Sequence, residues 1–286
     1  MTGAVQTRSW RVVVLSALAM LAFAGNSLLC RLALARSAVD PASFTAVRLL
    51  CGAAMLGLLV RLRGGTWAIQ GNWRSALALL TYAVAFSFAY VGLSAATGAL
   101  LLFGAVQATM IGAGIRRGER LRATQLAGLG LAVGGLVGLL LPGLAAPPAG
   151  RAVLMLAAGV AWGVYSLRGQ AAGDATRVNA GNFLRAAPAA LLLSLLLSHG
   201  RSLDRAGLGC AVASGALASG IGYAIWYAVL PSLRATTAAV VQLSVPAIAT
   251  LGGALLLAEP VTARIAVASA AILGGIGIVV RGRLPA

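Results

Sequence analysis

Ten apolar stretches, each close to the roughly 20 residues that cross a bilayer as a helix, follow one another with only brief polar connections between them. They lie near Val12 to Leu34, Ala42 to Val60, Arg74 to Gly92, Ala95 to Ile115, Ala123 to Leu141, Ala152 to Gln170, Gly181 to Leu197, Gly207 to Leu230, Thr236 to Leu257 and Ala263 to Val280. In hydrocarbon no water satisfies the backbone, so such a stretch must bond internally as a helix. The expected class is an all-α integral membrane protein with ten transmembrane helices and no soluble domain. Composition agrees: 9% of residues are charged, against about a quarter in an ordinary soluble domain.

The ten stretches come as two sets of five. LSAATGALLLFGAVQATMIGAGIRRGERLRATQLAGLGLAVGGLVG, starting at Leu93, aligns without a gap with LRATTAAVVQLSVPAIATLGGALLLAEPVTARIAVASAAILGGIGI, starting at Leu233. Thr97 meets Thr237, Ala99 meets Ala239, Glu119 meets Glu259, and Gly134-Gly135 meets Gly274-Gly275, all 140 positions apart. Apolar text matches apolar text easily, so the weight rests on the glycine pair and on two of the chain's five acidic residues. In helices 1 and 6, Ala22-Phe23-Ala24 answers Ala161-Trp162-Gly163, and Ser27 answers Ser166. Helices 2 and 7 each hold one Arg, and helices 3 and 8 are the aromatic ones. Residues 1–145 and 146–286 are therefore expected to be two copies of one unit. Five spans per copy is an odd number, which inverts the second copy relative to the first.

All 22 basic residues are Arg, dealt out singly or in small groups between apolar runs. That is the pattern of loop anchors, and it lacks the concentrated basic face of a nucleic-acid binder. With the N-terminus in the cytoplasm, Arg8, Arg11, Arg61, Arg63, Arg74, Arg116, Arg117, Arg120, Arg122, Arg168, Arg177, Arg234, Arg281 and Arg283 fall on the cytoplasmic side. Arg31, Arg36, Arg151, Arg201, Arg205 and Arg264 fall on the other. The excess places both termini in the cytoplasm. Arg8 and Arg11 before VVVLSALAMLAFAG look like a secretory leader, but the match of this segment with helix 6 predicts a retained first span. Cys30, Cys51 and Cys210 show no CxxC spacing and suggest neither a disulfide framework nor a metal site.

Two inverted five-helix sets, an Arg on helices 2 and 7, and a short Glu-bearing turn after helices 4 and 9 resemble the drug/metabolite transporter superfamily. Within it, the pattern is similar to the EamA branch of bacterial permeases and metabolite exporters, over essentially the whole chain. The resemblance implies a central cavity between the repeats, access alternating between two sides, a small-molecule substrate and no cofactor. It also implies a monomeric transport unit in the plasma (inner) membrane, with helices 5 and 10 paired. The aromatic helices are similar to those of amino-acid exporters in that branch.

Asp40, Glu119, Asp174, Asp204 and Glu259 all fall in loops or at helix ends, and His199, the single His, lies in a loop. Proton-driven transporters commonly relay protons on intramembrane carboxylates or His, so facilitated rather than carboxylate-proton-coupled transport is expected. Arg48 and Arg185 are costly in hydrocarbon and should face the interior or a polar mouth. Three roles stand open for them: tying down backbone carbonyls, latching alternately to Glu259 and Glu119, or pairing with a substrate carboxylate. Glu119 and Glu259 also suit the dipole of the helix that follows each.

Tyr82, Phe86 and Tyr90 recur at four-residue spacing on helix 3, as do Tyr223 and Tyr227 on helix 8. Such stripes are either packing or a pocket wall. In the fold that the resemblance implies, they would line the cavity with Phe23, Asn26, Trp162 and Tyr165. Gln107, Gln242 and Ser244 are further mid-membrane polar groups, either substrate handles or interhelical glue. Pro246 removes a backbone donor and should kink helix 9, and Pro188 should bend helix 7. Gly130-Gly134-Gly138 on helix 5, with Gly274, Gly275 and Gly277 on helix 10, predict close helix packing. Trp10, Trp67 and Trp73 fit the interfacial belt.

The expected activity is export of small metabolites, with neutral or aromatic amino acids the leading cargo, since aromatic walls and buried positive charge suit a zwitterion or anion. Multidrug or sugar efflux is the rival within transport, and a membrane scaffold the rival outside it. An intramembrane enzyme would need a nucleophile with a base or a metal cluster, which one His and no interior carboxylate do not provide.

Overall fold

The computed structural model describes residues 2–64, 70–116, 118, 122–141, 146–169, 173–197, 204–233 and 241–281. Among them α1 spans Thr2–Arg36, α2 Pro41–Leu62, α3 Trp73–Tyr90, α4 Ala95–Arg116 and α5 Ala123–Leu140. α6 spans Ala149–Gly169, α7 Ala175–Leu197, α8 Arg205–Ser232, α9 Ser244–Leu257 and α10 Ala263–Arg281. Among the described residues each of the ten expected stretches contains a helix, the opening of the ninth, residues 236–240, lying outside them, and no strand occurs. Seven of the ten are long and apolar enough to cross a membrane; the described parts of α9 and α10 are shorter apolar helices. α3 holds 18 residues and begins on Trp73-Arg74, which lowers its hydropathy.

Polar caps mark where helices meet the interface. Asp40 accepts the amides of Ala42 and Ser43, both at 2.9 Å, with Pro41 opening α2, where its missing N–H costs nothing. Asn72 caps α3 through the Ser75 amide, and Asp204 caps α8 through Gly207.

α8 is not uniform. An α segment, Arg205–Ala213, passes into a π-helix, Ser214–Ile221, then returns to α over Gly222–Val229 and ends in a 3-10 turn, Leu230–Ser232. The π segment, SGALASGI, is built of small residues. Gly215 lies against the Arg48 carbonyl and Cys51, and Gly220 against Met55, so wider winding is combined with close contact to α2. α9 also breaks: helical residues 241–242 are separated by a turn at Leu243 from the helix carrying Pro246. Pro246 has no N–H to offer the carbonyl four residues earlier. Pro188 sits within a continuous α7.

Contacts between helix ends show that successive helices run in opposite directions. At one end, Arg31 of α1 meets Glu259 beyond α9 at 2.7 Å and the carbonyl of Tyr90, last residue of α3, at 3.1 Å. Arg151 at the start of α6 meets the Phe88 carbonyl at 2.6 Å, and Ser43 in the first turn of α2 meets Ser194 of α7 at 2.8 Å. At the opposite end, Arg63 beyond α2 meets Thr176 at the start of α7 at 3.0 Å. Arg168 in the last turn of α6 meets Asn72 at 2.9 Å, and Gln125 in the first turn of α5 meets the Val279 carbonyl of α10 at 2.9 Å. These are called below the Glu259 end and the Asn182 end.

Side by side, α2 packs on α7 and α5 on α10. α3 and α4 both pack on α6, while α8 and α9 both pack on α1; α3 meets α7 as α8 meets α2. The α5–α10 seam is close-packed as expected at Gly275, but it does not use the other glycines named from the sequence. Nothing would touch a Cβ within 4 Å at Gly130, Gly134, Gly138, Gly274 or Gly277. Gly128 and Gly135 of α5 instead face Gly275, Ala271 and Ile272 of α10. At about 100° per residue, Gly130 and Gly134 point away from a face defined by Gly128 and Ala132.

Candidate functional site

Where α1, α3, α6 and α8 converge, aromatic rings meet in a continuous network. Trp162 lies 5.0 Å from Tyr82, 4.9 Å from Tyr223 and 5.9 Å from Phe23 between ring centres. Phe23 also meets Tyr223 at 5.9 Å and Trp226 at 6.0 Å, edge to face, a favoured arrangement of aromatic quadrupoles. Phe23, Tyr82, Trp162 and Tyr223, with Asn26, Ser27, Phe86, Leu102 and Phe103, wall a cavity of about 10 Å³, room for at most about one water.

Beside this chamber sits Arg48, 1% exposed. Its Nε donates to Ser219 Oγ at 3.1 Å and its Nη2 to Tyr82 Oη at 3.0 Å. Its guanidinium also lies over the Tyr82 and Phe86 rings, 5.0 and 5.1 Å from their centres. Asn26 Nδ2 donates to the same Tyr82 oxygen at 3.2 Å, and Ser214 Oγ to Asn26 Oδ1 at 2.7 Å. Ser214 opens the π segment and Ser219 lies within it. In a regular α-helix five residues would turn them about 140° apart; winding closer to five residues per turn lets both serve this network. Two polar atoms here have no hydrogen-bond partner in the protein: Arg48 Nη1 and the Tyr223 hydroxyl.

Toward the Asn182 end the rings open into a polar vestibule of about 240 Å³. Trp162 stacks on Tyr165 at 5.6 Å and 29°, so one ring pair separates chamber from vestibule. The Tyr165 hydroxyl donates to Asn179 Oδ1 and accepts from Asn182 Nδ2 at 3.4 Å. Arg168 reaches Ser75 Oγ and Asn72 Oδ1, both at 2.9 Å. Gly71, at φ +85°, brings the loop before α3 against Asn182, whose Oδ1 accepts the Asn72 amide at 3.1 Å. A second recess of about 550 Å³ shares Gly169, Ala175 and Tyr227 with the vestibule and adds Arg63, Asp174 and Thr176.

The Glu259 end is tied shut. Glu259 Oε1 accepts Arg31 Nε at 2.7 Å while Oε2 accepts the amide of Ala95, first residue of α4, also at 2.7 Å. Arg36 donates to the Leu257 carbonyl. Tyr90 is fully buried beneath this tie, its ring against Gly98 and 4.7 Å from Phe86.

Several expectations need correction against this geometry. Glu259 pairs with Arg31, so the Arg48–Glu259 latch does not form; Arg48 points instead to Tyr82 and Ser219. The helix that Glu259 caps is α4, across the bundle, rather than the one that follows it. Arg185 is half-buried and donates to the carbonyls of Gln70 at 2.6 Å and Gly181 at 2.9 Å, the tie to backbone carbonyls. Its other expected partner, Glu119, lies outside the described residues, as do Trp67 and His199. Ser244 is exposed, donating to the Val241 carbonyl at 2.7 Å, because the break before Pro246 turns it outward. Gln107 and Gln242 are buried but do not line the chamber, and Tyr90 belongs to the closed end. Trp10 and Trp73 are each 65% exposed, as belt residues should be. Ser214, Ser219, Asn72, Asn179 and Asn182 were not singled out from the sequence, and Arg168 only as a loop anchor. The Asn179–Asn182 pair, three apart on one helix face, was a signal that could have found the vestibule.

A model of the EamA-like transporter family matches residues 151–281, and a protein 58% identical spans 96% of both chains. The chain belongs to the EamA-like transporter family. That relative is an uncharacterized protein of Pseudomonas aeruginosa, aligned over 276 residues. An uncharacterized transporter of Archaeoglobus fulgidus is 41% identical over 76 residues, 27% of this chain and 28% of that one. A solved crystal structure superposes with a TM-score of 0.69 at 20% identity, covering 94% of this chain and 96% of the other, a likeness of fold. Family membership and the run of apolar helices make this transporter a multi-pass membrane protein acting on a small-molecule substrate in a lipid environment.

Proposed function

We propose that the transporter exports small metabolites, neutral and aromatic amino acids foremost, by alternating access between two inverted five-helix repeats, residues 1–145 and 146–286. The observation that carries this reading is Arg48: a fully buried cation with one nitrogen unshared, set among aromatic walls. The described carboxylates lie at helix ends. Glu259 bonds to Arg31 and Asp174 to Arg177, while Asp40 and Asp204 cap helices. A cargo that brings its own carboxylate would complete the site, and the rings would hold its apolar part. A lipophilic cation would meet repulsion there.

The repeat reading is supported by packing. Exchanging each helix n with helix n+5 maps the contacts α3–α6 and α4–α6 onto α8–α1 and α9–α1, and α3–α7 onto α8–α2. α2–α7 and α5–α10 map onto themselves. Strict alternation of direction means that α1 and α6 run oppositely, as inverted copies must. Because α1 ends at the Glu259 end, a cytoplasmic N-terminus puts the open vestibule on the cytoplasmic side. The tied Arg31–Glu259 end then faces outward, the arrangement that receives cargo from inside.

Cells expressing the transporter should resist toxic amino-acid analogues, and Arg48→Gln should abolish the resistance while leaving the protein in the membrane. Protection against cationic dyes alone would replace this reading with multidrug efflux. Transport is read as facilitated, so substrate-driven flux in vesicles should persist when the pH gradient is collapsed.

A further inference from the structure

We propose that Arg48 and Tyr223 form a binding site for a small monovalent anion, with chloride as its representative, which neutralises Arg48 when no substrate carboxylate is present. The proposal starts from a count of donors and acceptors. Arg48 is donor-only and permanently charged. Nε and Nη2 are shared with Ser219 and Tyr82, and Nη1 with no protein atom. Tyr82 Oη already accepts from Arg48 and from Asn26, so its own proton is left to donate. The Tyr223 hydroxyl has no protein partner. Asn26 Oδ1, the nearby acceptor, is taken by Ser214. The centre of the bundle thus offers three donors and one full positive charge, and no carboxylate among the described residues reaches it.

Buried polar groups are normally satisfied, and a buried charge is normally paired. Only an acceptor bearing negative charge answers both demands here. Size narrows the class. The chamber lined by Tyr82 and Tyr223, with Arg48 beside it, has room for at most about one water, so an amino acid is excluded until Trp162 or its neighbours move, and chloride, wider than a water, enters with a smaller outward shift of the same rings. Chloride would also screen Arg48 as the protein changes conformation without cargo, since moving a bare charge through a low-dielectric interior is unfavourable. This goes beyond the proposed cargo, because the site is defined by protein donors whatever the substrate proves to be.

The test uses purified wild-type protein in lipid nanodiscs, free of amino acids, titrated with sodium chloride against sodium gluconate at constant ionic strength. A saturable rise in melting temperature is expected with chloride and not with gluconate, and bromide should additionally quench tryptophan fluorescence, since Trp162 lies 4.9 Å from Tyr223. Tyr223→Phe removes one hydroxyl without opening a cavity. It should raise the half-saturating chloride concentration about tenfold, the usual worth of a hydrogen bond to a charged group. Arg48→Gln, if it folds, should show no chloride response. Equal behaviour in chloride and gluconate, or a Tyr223→Phe titration that overlays the wild type, would overturn the proposal. A chloride response without amino-acid flux would leave this site standing and remove the proposed cargo; flux without a chloride response would do the reverse.

Discussion

Glu259 holds three helices together through one carboxylate, its Oε1 2.7 Å from Arg31 Nε and its Oε2 2.7 Å from the amide of Ala95. Arg31 in turn reaches the last carbonyl of α3. α1, α3 and α4 are thereby pinned to the connection between α9 and α10, which ties the first half of the chain to the second at that end. The pair is mostly shielded, with side-chain exposures of 21% and 13%, so solvent screens it less than a surface ion pair.

Glu259→Gln keeps the shape of the tie and removes its charge. Hydrogen bonds to charged groups are worth about 1.5–3 kcal/mol, so the Glu259 end should open more often. Cys30, adjacent to Arg31 and fully buried, is a native reporter. In a Cys51→Ser, Cys210→Ser background, maleimide labelling of Cys30 should accelerate about tenfold. An unchanged labelling rate would show that the tie does not hold that end shut.

Gly215 lets α8 press on α2, where a Cβ would meet the Arg48 carbonyl and Cys51. Gly215→Ala should destabilise the protein by about 1–3 kcal/mol, as overpacking does, read as a lowered melting temperature. Because Ser214 and Ser219 lie on the same segment, the variant should also weaken transport. Gly130→Ala, where a Cβ meets nothing, should melt like the wild type.

Trp162 stands between vestibule and chamber, stacked on Tyr165 and in contact with Tyr82 and Tyr223. Trp162→Leu should join the two spaces and broaden the range of side chains transported. A competition series of amino acids of increasing size checks this: the wild type should discriminate more steeply than the variant.

The helices and their order were legible because apolar run length is a local property, and a helix stands in the described part of every stretch from Val12 onward. Helical periodicity put Tyr82 and Phe86 on one face, but left packing and pocket wall open; that they line a cavity with Trp162 was implied by the family resemblance alone. The Arg31–Glu259 tie was not legible, since it joins residues 228 apart in sequence and nothing local distinguishes Arg31 from other loop anchors. The π segment was missed because SGALASGI reads as an ordinary small-residue helix; its winding answers to Arg48 and Asn26 on other helices. At the α5–α10 seam the glycine spacing was visible, but several stripes of small residues competed and only packing chose between them. Of the three roles left open for Arg48, the contact with Glu259 is not made in this structure for a related reason: sidedness grouped the two residues without fixing depth, and Tyr82 and Ser219 lie nearer.

The most direct test of the central claim, that Arg48 receives a substrate carboxylate in an aromatic chamber, is counterflow in proteoliposomes loaded with an unlabelled neutral amino acid and given the labelled one outside. The account predicts transient accumulation of label by the wild type and none by Arg48→Gln reconstituted to the same density. Equal accumulation by both proteins, or accumulation of a cationic dye in place of the amino acid, would contradict it.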